Sequence, residues 1–182
     1  PSLAHALFFT WGFMPLFVVG FLFTAGPRWL QVTELAAPQL LPAVLGYTAA
    51  LFMAVAGFHA SASLAAFGLS GMALAWGRLG YFYLQLWQQS RASDKAHGTV
   101  ILVAAAAGLA GLLLCAIGAA VGHDTLVRTG IHVGLWFFIA TVFAAVSHRM
   151  IPFFTASAIP FLDSWRPMWP LWCMVGALGW GG

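Results

Sequence analysis

The sequence predicts an all-α fold: a polytopic bundle of about six transmembrane helices. Three observations predict it. Of 182 residues, 62 % are hydrophobic and only 6 % are charged, against roughly 25 % charged in a typical soluble domain. The apolar residues fall into runs near the roughly 20 residues needed to cross a bilayer core of about 30 Å. Lys and Arg concentrate in alternate connections between those runs.

These features exclude several classes. A soluble domain of this size could not cover so much apolar surface, so a water-soluble globule, a disordered chain, a collagen-like chain and a disulfide scaffold are ruled out. Mean hydropathy is +0.93. The net charge of +3, with His neutral, is spread over connections, which suits membrane orientation and not nucleic-acid binding. Cys115 and Cys173 both lie in apolar runs and read neither as a disulfide nor as a zinc pair.

The spans are expected at roughly 4–26, 40–59, 64–87, 99–121, 128–147 and 171–182, all in one transmembrane domain. Pro15 lies inside the first and Pro27 ends it. A mid-helix Pro is costly, but an open strand in lipid is worse, so a kinked helix is expected. The stretch from Arg28 to Gln39 reads as a loop. The apolar block from Leu40 to Trp87 would extend about 72 Å as one helix, so it must fold back once, at the small polar stretch His59 to Ser63. Gln88 to Gly98 is the most polar segment and reads as a loop, which makes His97 a solvated residue. Gly122, His123 and Asp124 make the next turn. Ser147 to Pro170 contains Pro152, Pro160 and Pro167 and reads as a loop with a short interfacial helix. The chain starts at Pro1 and stops at Gly182 within an apolar run, so it reads as part of a larger bundle, with further helices as packing partners.

Arg28, Arg91, Lys95, Arg149 and Arg166 follow the odd-numbered spans, whereas only Arg128 follows the even ones. Positive charge stays cytoplasmic, so His5 starts on the outer face. His59, His123 and His132 then share the outer level with it, and His97 and His148 lie at the inner level.

Ionisable residues in a membrane are costly and point to function, and neutral imidazole is a common ligand of metals and of haem iron. His5 and His132 lie on different helices at one depth and are the first candidates to hold a flat cofactor or a metal, with His59 third. Gly12 is two turns below His5 and would leave room for a porphyrin edge. Each histidine also reads as an interfacial polar residue wetted by headgroups. Gly130 and Gly134 form a GxxxG pair that points away from His132, and Gly118 and Gly122 form a second; both suit helix packing. Arg78 lies near mid-membrane, where it either meets an anion such as a haem propionate or snorkels to the interface. No Walker loop, GxSxG, HExxH or EF-hand is present.

Two segments carry a family resemblance. Gly20 to Trp29, "GFLFTAGPRW", resembles the GFLLTAxPxW end of the first conserved helix of the NnrS family, preceded there by HAHExxxGF. Aligned without gaps, His5 matches the first His of that motif and Gly12-Phe13 its GF. Arg149 to Thr155, "RMIPFFT", resembles the family's R-x-I-P-x-F-T segment.

The resemblance implies a multi-pass protein of the bacterial inner membrane that binds haem b, and copper, and acts in the response to nitric oxide and nitrosative stress in denitrification. It names no reaction. Leu7 and Phe8 replace the second His and the Glu of the HAHE motif, which removes ligands from any copper site built on the whole motif. From a different class, a small-solute transporter or channel subunit without metal predicts a broken helix at mid-membrane, for which Pro15 and Arg78 are the hints. A purely structural subunit would use the GxxxG faces as its contacts.

Overall fold

In the computed structural model, residues 2–158 and 167–181 are described. They form six helical rods in a bundle. The first rod is α1 (Ser2–Phe8), a π-helical stretch (Phe9–Phe13) and α2 (Met14–Leu30). Then come α3 (Ala37–Ala60), α4 (Ala62–Gln89) and α5 (Ala96–Val121). The fifth rod is α6 (Asp124–His132), a second π stretch (Val133–Ala140) and α7 (Thr141–Ala158), and α8 (Trp169–Gly181) is the sixth. Four of these are long and apolar enough to cross a membrane: Leu3–Leu30, Ala37–Ala60, Ala96–Val121 and Asp124–Ile151. The 28-residue α4 matches them in length and packs between α3 and α5; its Ser, Gln and Arg78 make it less apolar.

The rods end where local chemistry stops them. Gln31 caps α2 in the left-handed region (φ 55°). One extended residue, Ser61, separates α3 from α4, and its hydroxyl accepts from the Leu64 amide at 3.3 Å. Gly122, at φ +67°, closes α5, a backbone conformation that favours glycine.

Three expected loops are shorter than the sequence suggests. Pro27 does not end the first rod, which continues to Leu30, and α3 starts at Ala37, so the loop expected at Arg28 to Gln39 shrinks to 31–36. α5 begins at Ala96, so His97 lies in its first turn and is not a solvated loop residue. The fifth rod runs through Pro152 to Ala158, because a helix in lipid tolerates Pro better than an opened backbone. The side chains of Pro152 and Phe154 lie outside the described residues, as do Pro160, Trp165 and Arg166.

Small residues set the helix spacing. A Cβ at Gly57 would strike the Ala65 backbone and one at Gly68 the Ala54 backbone, so α3 and α4 meet nearly backbone to backbone. On α5, Gly111 faces both the Trp11 ring and the Gly130 carbonyl, and Gly130 faces Cys115 and the Gly111 carbonyl. A Cβ at Gly134 would overlap the Trp11 ring. The Gly130–Gly134 pair therefore packs inside the chain.

Those glycines make room for an aromatic layer. Trp11 is fully buried and stacks on Phe138, with centroids 6.1 Å apart and planes 7° from parallel. Trp76 meets Phe138 edge-on at 4.8 Å, and its Nε1 donates to the Ala105 carbonyl at 2.9 Å. Trp11 and Phe138 come from the two π stretches, which face each other across the bundle.

Pro15 accounts for the first π stretch. In an α-helix the amide four residues on would bond the Trp11 carbonyl, and Pro15 has no N–H. The Tyr47 hydroxyl of α3 donates to that carbonyl instead, at 2.5 Å. The rod is rewound but continuous, unlike the broken helix of the transporter reading. Tyr47→Phe should therefore lower the unfolding free energy in mild detergent by about 1–2 kcal/mol. Pro15→Ala supplies the missing donor, so the double variant should recover most of that loss. Unchanged stability in Tyr47→Phe would contradict the assignment.

Candidate functional site

The candidate site residues lie at two levels of the bundle, and the hydrogen bonds divide the imidazoles the same way. At the outer end, His5 on α1, His59 at the end of α3 and His132 at the end of α6 are all exposed. Among the described residues none of the three has a hydrogen-bond partner. α1 and α6 are in contact, so His5 and His132 sit on neighbouring helices. His59 lines a cavity of about 310 Å³ at the outer mouth, with Leu3, Phe58, Ser61, Asp124 and Val127. No group of three or more metal-binding side chains occurs among the described residues.

The space expected beneath His5 is filled. Gly12 is buried, and a Cβ there would touch Leu51 at 3.8 Å. The cause is the π stretch: its wider turn shifts the register, so positions two turns apart no longer share a face. Below His5 the exposed ridge is instead Phe9, Phe13 and Phe17, which are 55 %, 66 % and 61 % exposed.

Arg78 is placed apart from these histidines. It lies about 24 Å along α4 from that helix's outer end, too far to join an outer-level imidazole on one cofactor. Its side chain is exposed, and the guanidinium sits 5.0 Å from the centroid of the Phe82 ring, one turn toward the inner end. That is the direction of snorkelling.

At the inner end the structure joins two histidines that spacing alone does not. His97 is 3 % exposed. Its Nε2 lies 2.9 Å from His148 Nδ1, with the rings 5.2 Å apart and 28° from parallel. His148 Nε2 lies 3.0 Å from the Pro167 carbonyl oxygen. A carbonyl only accepts, so His148 Nε2 carries the hydrogen and its Nδ1 accepts from His97 Nε2–H. The pair ties α5 to α7 and to the residue leading into α8. Next to it, the Arg149 guanidinium lies over Trp29 at 5.1 Å, linking the end of the fifth rod to α2. Both histidines were available as inner-level imidazoles in the sequence, but the polar run before Gly98 hides the start of α5.

Residues 1–180 match the family model NnrS, described as NnrS protein. The chain belongs to the NnrS family. The match takes in nearly the whole chain, well beyond the two short segments that carry the resemblance. No curated protein and no solved structure matches it. The NnrS-family motif residue Arg149 belongs to the inner tie, and the motif's first histidine, His5, belongs to the outer exposed set.

The two levels should respond differently to mutation. His148→Phe keeps an aromatic side chain but has no ring nitrogen, leaving a buried imidazole N–H on His97 without this acceptor. A loss of about 1–3 kcal/mol is expected. His132→Phe, at an exposed site, should stay within about 0.5 kcal/mol of wild type. Denaturation followed by tryptophan fluorescence in detergent checks both, and equal effects would contradict the division.

Proposed function

We propose that this NnrS-family protein is a haem-b-binding component of the bacterial inner membrane that acts in the response to nitric oxide. The observation that carries the reading is the state of the outer imidazoles. His5, His59 and His132 are exposed and keep a ring nitrogen free, which is what an axial ligand has to offer. His148, by contrast, has both nitrogens engaged.

The donors fit haem; the interior does not. Trp11, Phe138 and Trp76 fill the central layer, and Gly108, Gly111 and Gly134 are already covered by their rings. A macrocycle therefore belongs on the outer face of the bundle, against a surface such as the Phe9, Phe13 and Phe17 ridge. When bound, haem supplies an iron position open to a diatomic such as nitric oxide. One of His5, His59 and His132 would hold the iron from one side, and the aromatic ridge would exclude water around it. Copper stays outside the proposal: no three His, Cys, Asp or Glu side chains converge among the described residues, and no step is assigned to it.

Absorption spectroscopy of protein purified after expression with ample haem tests the reading. Wild type should show a Soret band that shifts on reduction. His5→Ala or His132→Ala should weaken it, and the variant with Ala at 5, 59 and 132 should lose it while keeping wild-type helicity. A colourless wild type, or an unchanged spectrum in the triple variant, would overturn the proposal.

A further inference from the structure

Arg78 poses a problem that haem ligation at the outer level leaves open. It lies about 4 Å to the inner side of the midpoint of α4, and it is exposed. A guanidinium facing hydrocarbon at that depth is costly and needs an anionic or polar partner. The described residues offer none there. The described carboxylates, Glu34, Asp94 and Asp124, lie in connections or at a helix end, away from this depth.

Beside Arg78, the seam between α4 and α5 is open. Two adjoining cavities of about 370 and about 510 Å³ share Gly77 and Leu109 as lining residues. Gly77 and Gly80 on α4 and Ala106 on α5 leave the depression, and Leu74 and Tyr81 line it. Leu74 and Tyr81 are the neighbours of Arg78 at i−4 and i+3, so the cation stands on the rim. From Ser70 to Leu84 the groove runs about 21 Å along α4, more than the roughly 15 Å of hydrocarbon in one leaflet. Its walls are almost wholly apolar, and a Cβ at Gly80 would meet nothing within 4 Å.

We infer that this seam binds an anionic phospholipid of the inner leaflet. One acyl chain lies in the groove past Gly77 and Gly80, and the headgroup phosphate pairs with Arg78, whose guanidinium already reaches over Phe82 toward the inner surface. The phosphate supplies the counter-charge that Arg78 lacks, and the acyl chain fills the open seam. The inference is independent of haem binding.

The test places the protein in nanodiscs of equimolar phosphatidylglycerol and phosphatidylcholine with identical acyl chains, then counts retained lipids by native mass spectrometry. Wild type should retain phosphatidylglycerol in several-fold excess. Arg78→Gln should bring the two lipids close to parity, whereas Arg91→Gln, at an exposed inner-loop cation, should keep the preference. Gly80→Leu and Ala106→Leu, which fill the groove, should each reduce retained lipid of both kinds. No preference in wild type, an undiminished preference in Arg78→Gln, or unchanged retention in both groove-filled variants would overturn the assignment. So would a polypeptide found in the seam.

Discussion

Without water in the hydrocarbon, every polar group that this bundle buries must find a partner within the protein. The Trp11 carbonyl shows how far this reaches. Pro15 deprives it of its helical donor, and a hydroxyl from another helix takes over. That bond anchors α3 to the point where the first rod rewinds. The rewinding turns Trp11 inward, and Trp11 then fits only because Gly111 and Gly134 have no side chains. A sequence of backbone demands, rather than any single apolar contact, fixes the centre of the molecule.

The same demand sorts the histidines. Where imidazoles enter the interior, at the inner end, they bond to each other and to a carbonyl, and they hold three segments together. Where they stay at the surface, at the outer end, they remain chemically available. The function proposed for this NnrS-family chain therefore rests on its outside: the imidazoles of the outer level, the aromatic ridge below His5, and the rim cation at Arg78. The interior is a packed support for these surfaces.

Much of the fold is legible in the sequence because lipid leaves so few options. Apolar run lengths place the rods, and the lone polar stretch around Ser61 marks the fold-back between α3 and α4. Pro15 announces a distortion, yet nothing local says that Tyr47 repairs it, since the bond links residues far apart in the chain. The Gly12 expectation fails because face arithmetic assumes an uninterrupted α-helix. His97 is hidden by its polar neighbours: Asp94 is exposed and Lys95 half-buried, whereas two residues later the chain has turned inward. The prolines from Pro152 onward suggest a loop, because Pro breaks helices in water, and in this setting the helix continues to Ala158. The outer histidines are legible as a level but not as a site, because their contacts depend on surfaces rather than on sequence spacing.

The position of iron in the haem-loaded protein tests this division most directly. An anomalous-scattering map from crystals of that complex would locate it. Iron is expected at the outer end, bonded to an imidazole of residue 5, 59 or 132, with the Trp11–Phe138 stack intact. His148 should then lie about 24 Å or more along the fifth rod from that level. Iron bonded to His97 or His148, or seated between the helices in place of the aromatic layer, would contradict it.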